Sequence, residues 1–181
     1  MPKFVVTIDT NSINVRQAEE NLNALDELDA KGMIEIVKTD VMDTEFLKAA
    51  PNQRDVFLTK SSQYHEDIGE GHYNDSRYGH ARYGPLENYP FETMRQILFP
   101  NFEALTEDEK ERARRDAMHL ATHYMHRRDF FVTNDKKHFI ANRESLKVRF
   151  GVQILRPEEC VSRLRSEFAE LQENQTTKYE P

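Results

Sequence analysis

The sequence predicts an α/β domain built on a parallel sheet with helices on both faces. Short β-prone apolar runs recur along the chain, and stretches with helical apolar spacing separate them. Two of those runs end in an aspartate set in turn chemistry, Asp9 and Asp135. In parallel sheets, ligands bind beyond the carboxyl ends of the strands, at a topological switch point.

Phe4-Val5-Val6-Thr7-Ile8 has the aromatic and β-branched character of a buried strand. Asp9-Thr10-Asn11-Ser12 follows as turn and cap residues. Ala18, Leu22, Leu25 and Leu28 predict a helix over Val15 to Asp29, closed at Lys31-Gly32, where glycine suits a left-handed residue. Ile34-Glu35-Ile36-Val37 reads as the second strand. Asp40 is expected to cap the next helix with Asp43 in the capping-box position, and Pro51 to mark its end. Val56-Phe57-Leu58-Thr59 reads as a further strand.

Ser61 to Pro90 is rich in Gly, Tyr, His, Asn and Arg and poor in aliphatics. Long irregular segments of this kind are functional or disordered. A short helix is expected over Glu92 to Leu98. Thr106-x-x-Glu109 is a capping box opening a long helix to about His126, whose negative end suits Arg127 and Arg128. Phe130 to Thr133 and Val152 to Leu155 read as strands, and Pro157-Glu158-Glu159 starts the last helix. The expected organisation is one domain over 1–172, with an insertion at 54–100 and a frayed tail at 173–181.

The chain has 181 residues, which can bury a core without disulfide staples. Its one cysteine, Cys160, excludes a disulfide framework and a cysteine-rich zinc site, and fits a reducing, cytoplasmic setting. No apolar run approaches the roughly 20 residues of a membrane span, and Met1 to Ile8 is too short for a signal peptide. The net charge of −7 argues against non-specific coating of duplexes. It leaves room for a nuclease, because an acidic metal site lowers net charge and phosphate contact needs only a local basic patch.

For an isolated aspartate past a strand, turn capping is the commoner role. Equivalent placement of Asp9 and Asp135 in one sheet points beyond that. On the long helix, Ala113, Ala117, Leu120, Ala121 and Tyr124 define an inward stripe, and Asp116 falls at its edge. A partly buried carboxylate there needs a partner: Arg112, Arg115 or a metal. Converging carboxylates favour a hard divalent cation, Mg²⁺ or Mn²⁺. His119, His123 and His126 have spacing that can hold zinc. Without a supporting third motif, they read as polar-face histidines.

Several motifs together resemble the PIN (PilT N-terminal) domain family. Ile8-Asp9-Thr10-Asn11 is similar to its opening motif. Asp116-x-x-His119-Leu120-Ala121 and Asp129-Phe130-Phe131-Val132-Thr133-Asn134-Asp135 resemble its third and fourth acidic motifs. Gly151 to Glu159 is similar to its last strand and helix start. The likeness covers about Lys3 to Ala49 and Glu107 to Leu164.

The resemblance implies a PIN-like three-layer α/β fold with a central parallel sheet of four or five strands. It implies metal-dependent cleavage of RNA, with Asp9, Asp116 and Asp135 as catalytic, metal-binding acids. Asn11 and Thr133 would orient the first and last of them. The second acid is Asp43 or Glu45, with Asp43 preferred. Expected partners are single-stranded RNA and a protein such as an antitoxin; a homodimer is a further expectation, and a membrane is not. The chain departs from the family by the length of 54–100, which leaves a toxin role open. Arg77, Tyr78 and Arg82 there, with Lys136 beside Asp135, are candidate substrate contacts, through stacking and phosphate binding. A solvated surface loop is the competing reading of that segment. A PIN-like module that binds RNA or protein without cutting is the competing function. A phosphatase or single-strand DNA nuclease using the same site is a third.

Overall fold

The computed structural model describes residues 4–13, 18–48, 50–69 and 89–176, with side chains placed through residue 171. Among the described residues, five parallel strands form one sheet: β1 (Phe4–Ile8), β2 (Ile34–Thr39), β3 (His65–Asp67), β4 (Phe130–Val132) and β5 (Ile154–Leu155). Their order is β3-β2-β1-β4-β5. The chain runs outward from β1 in one direction through β2 and β3, then returns to the other side of β1 with β4 and β5. The switch point therefore lies at the carboxyl ends of β1 and β4, where Ile8 registers with Val132. Around the sheet lie α1 (Glu20–Ala30), α2 (Asp40–Leu47), α3 (Pro51–Ser61), α4 (Phe91–Leu98), α5 (Glu107–Met125), α6 (Ala141–Phe150) and α7 (Pro157–Thr176).

Strand alternation divides the core into two layers. Val6, Ile8, Phe130 and Val132 point to one face and pack with Leu22 and Leu25 of α1 and Val161 and Leu164 of α7. Phe131 and Ile154 point to the other, against Leu98 of α4, Ala117 and Leu120 of α5 and Leu146 of α6. Thr7 also points to the second face, and its hydroxyl meets the buried His123 of α5 at 2.9 Å. The expected three-layer arrangement is the one found.

Most helix signals behave as expected. Thr106 and Glu109 form the reciprocal capping box of α5. Gly32 and Gly151 take φ of 69° and 74° at helix ends, where a side chain is disfavoured.

Other expectations need correction. The first long helix begins at Glu20, capped by the Glu19 carboxylate, rather than at Val15, which lies outside the described residues. Val56 to Thr59 is helical, part of α3, and Pro51 opens that helix at its first turn instead of ending the previous one. The third strand is His65–Asp67, in the stretch read as irregular. It has no apolar alternation to betray it. Arg128 holds its Asp67 through two guanidinium nitrogens, and His126 Nδ1 approaches Asp67 at 3.3 Å. The segment 54–100 therefore supplies an edge strand and α4, which covers α5. Among the described residues, no helix is long and apolar enough to cross a membrane.

Candidate metal centre

Asp9 follows β1 directly, and its backbone N–H donates to Val132 O at 2.9 Å, which ties it to the end of β4. Its carboxylate accepts from Thr10 N at 2.7 Å and from Thr133 Oγ1 at 2.7 Å. The Thr133 hydroxyl also accepts from Asp135 N at 3.0 Å, so one side chain links the Asp9 carboxylate to the Asp135 backbone. Asn11 holds the neighbouring loop, accepting from Asn134 N at 3.1 Å. Asp135 caps a π-helical turn, Lys136–Ile140, by accepting from Lys137 N and His138 N. Its second oxygen lies 2.8 Å from His138 Nδ1.

Asp9, Asp116 and Asp135 all line one cavity of about 600 Å³, together with two further acids, Glu45 and Glu109. Asp116, Asp135 and His138 each present a ligand atom within 4.8 Å of the others. Asp43 does not line this cavity. The buried Lys38 ammonium sits 2.6 Å from it, and Ser61 Oγ donates to it at 2.9 Å. The capping expectation also fails: Asp40 is the first residue of α2 and accepts from Gly69 N at 3.1 Å, and Thr39, the N-cap residue, makes no side-chain cap hydrogen bond. The helical turn explains the difference, since residues two apart on a helix point about 200° apart. With Asp43 turned to Lys38 and α3, Glu45 faces α5.

Glu45 is held from three sides. Thr10 Oγ1 donates a short hydrogen bond to it, Arg115 Nε lies at 3.2 Å and His119 Nε2 at 3.4 Å. His119 is fully buried, and its Nδ1 meets the Thr39 hydroxyl. His119 and His123 are therefore core residues, correcting their reading as polar-face groups, whereas His126, the C-cap residue of α5, is half-buried. Thr7 and Thr39, inward positions of β1 and β2, supply the hydroxyls that make such burial tolerable. Those inward threonines were the available signal in the sequence.

The acids do not share one electrostatic fate. Burial pushes Asp9 up to about 6, against the pull of His119 and its own hydrogen bonds. Burial also pushes Asp116 well above the usual carboxylate range, and the charges of Asp9 and Glu45 push it further. Burial opposes ionisation of Glu45 too, but the His119 hydrogen bond and charge, then Thr10 and Arg115, outweigh it and hold it near about 2. Burial would lower His119, and its contact with Glu45 raises it overall. Arg115 pairs with Glu45 and Glu111, and neither Arg112 nor Arg115 pairs with Asp116. Among the described residues, Asp116 accepts no hydrogen bond and has no salt bridge.

Lys137 lines the cavity, whereas Lys136, the expected contact, is exposed beside it and does not. Arg77, Tyr78 and Arg82 lie outside the described residues. Sequence reasoning did not single out Arg112, Glu109, Phe46, Phe57, Phe99 or Leu105 as parts of this cavity. Their convergence comes from three helices, α2, α3 and α5, and from the turns that carry Phe99 and Leu105.

No protein-family model matches the chain, and no curated protein does. Among solved structures, the chain is similar to VapBC2 from Rickettsia felis bound to a DNA fragment from their promoter. Identity is 10%, the TM-score is 0.43, and the match covers 84% of this chain and 98% of that one.

Proposed function

We propose that the chain is a metal-dependent endoribonuclease that hydrolyses phosphodiester bonds of RNA in this cavity. The observation that carries the reading is the convergence of Asp9, Glu45, Asp116 and Asp135 on one cavity, with Asp116 left without a cationic partner. Partly buried carboxylates crowded in this way repel one another, and a divalent cation relieves the repulsion. The donor set fits Mg²⁺ or Mn²⁺: hard carboxylate oxygens, with one imidazole, His138, within reach of Asp116 and Asp135. Asp9, Asp116, Asp135 and Glu45 would hold the ion, with Glu45 taking the role first assigned to Asp43. When bound, it supplies activation of water and charge stabilisation of the phosphoryl oxygens.

The protein's own groups do the positioning. Thr133 ties the Asp9 carboxylate to the Asp135 backbone, and the Asp135 carboxylate is set by the Lys137 and His138 N–H groups. His119, Thr10 and Arg115 hold Glu45 ionised and aimed at the cavity. Phe99 packs against the His138 ring, centroids 4.5 Å apart, and Asp135 fixes its Nδ1.

The test is cleavage of an end-labelled single-stranded RNA in Mg²⁺, Mn²⁺ or EDTA by the wild type and by Asp116→Asn. Metal-dependent cutting should appear in the wild type and be lost in a folded variant. Equal cutting by both, or no cutting in any metal, sinks the proposal.

A further inference from the structure

The cavity contains more than its acids. Phe46, Phe57, Phe99 and Leu105 line it as well, which a site for water and a cation alone does not need. Phe46 and Phe57 stack in parallel, centroids 4.9 Å apart and planes 7° apart. Phe46 is the buried member, at 3% exposure, and Phe57 the half-buried one. Arg112 and Lys137 also line the cavity, and both are exposed. Neither has an ion pair among the described residues, although Glu109 lines the same cavity.

We infer that this cavity is a subsite for an unpaired nucleotide, with its base stacked on Phe57 and its flanking phosphates on Arg112 and Lys137. The inference rests on the nuclease reading of the same cavity and assigns within it the residues that take the base and the phosphates of the substrate. An aromatic ring offers any base a π-face, but a base can use it only when it has left its own stack. In a duplex both faces are covered by neighbouring base pairs. The recessed floor points the same way, because Asp9 is only 4% exposed. A phosphodiester must enter the concavity to reach it, which a flexible single strand can do and a rigid duplex cannot. The two cations answer the remaining difficulty, the repulsion of a phosphate by an acidic floor. They place positive charge at the same cavity, beside Glu109, while Asp9 and Glu45 keep other partners, Thr133 for the first and His119 and Arg115 for the second.

The experiment is fluorescence anisotropy of a labelled RNA ten-mer in EDTA, where nothing is turned over, at several salt concentrations. The full chain should bind the single strand at least about tenfold more tightly than the same sequence as a duplex. Phe57→Ala should weaken single-strand binding about tenfold without changing the salt slope, and Phe57→Tyr should restore it. An abasic position walked along the oligonucleotide should cost the wild type a similar factor at one place and cost Phe57→Ala nothing more there. Arg112→Ala should reduce the salt slope by about 0.7, one counterion-releasing contact on a single strand. Equal binding of duplex, or a folded Phe57→Ala variant that binds as the wild type does, overturns the inference; the aromatic wall would then belong to another occupant, such as a protein segment. Binding as expected with no cleavage in any metal removes the nuclease reading and leaves the subsite standing.

Discussion

Asp9→Asn tests the electrostatics of the centre without reference to turnover. In the folded protein the Asp9 carboxyl is raised from 3.8 to about 6, mainly by burial. The folded state therefore holds a proton that the unfolded chain releases between those two values. Stability falls as pH rises through that window and levels off above about 6. The full gap corresponds to about 3 kcal/mol. Asparagine does not titrate and keeps the shape. Its amide oxygen can accept from Thr10 N, and its amide nitrogen can donate to Thr133 Oγ1, at a cost of about 1 kcal/mol for the rearranged hydrogen bond. The net expectation at pH 8 in EDTA is a variant more stable by about 2 kcal/mol, or about 4–8 °C in Tm for a chain of this size. At pH 4 the advantage should vanish. Saturating Mn²⁺ should reverse the order, because the wild type gains binding free energy that the amide variant lacks. Differential scanning fluorimetry at pH 4, 6 and 8, with EDTA or Mn²⁺, gives all six comparisons. A variant no more stable than wild type at pH 8 in EDTA, or an advantage independent of pH, refutes the argument.

Glu45→Gln should weaken Mn²⁺ binding by about tenfold or more in calorimetric titration. Asp43→Asn should leave affinity nearly unchanged but cost about 3 kcal/mol or more of stability, by leaving Lys38 buried without its closest counter-charge; the opposite pattern returns the fourth ligand to Asp43. His123 is lowered from 6.5 to about 3 by burial, so its contribution to stability is present above 6.5 and is lost as pH falls toward 3. His123→Gln should therefore flatten the urea-derived stability change between pH 7 and pH 5 by about 2 kcal/mol, and an unchanged slope contradicts the assignment. A Cβ at Gly69 would lie 2.2 Å from Thr122 Oγ1. Gly69→Ala should thus lower stability by about 1–3 kcal/mol in chemical denaturation, and a neutral result means the α5 face there yields easily.

The sequence alone determined the layer architecture and two of the acids' positions. Buried strands need β-branched and aromatic runs, so β1 and β4 announce themselves, and the residues just past them fall at the carboxyl edge of any parallel sheet that contains them. The α5 capping box and the glycines at positions 32 and 151 are likewise local, because backbone geometry at a helix end is set by a few neighbouring residues. The rest was decided in three dimensions. His65–Asp67 is a strand because Arg128 and β2 hold it, not because its residues prefer to be extended. Val56 to Thr59 has β propensity that the Pro51 helix start and packing on α2 override. Glu45 or Asp43 could not be chosen from sequence, since both sit early in α2 and only the facing elements, Lys38 on one side and His119 on the other, separate them. The charge state of the centre is the most thoroughly tertiary property. It depends on burial and on distances between carboxylates up to 126 positions apart in the chain, which only the folded sheet brings into one cavity.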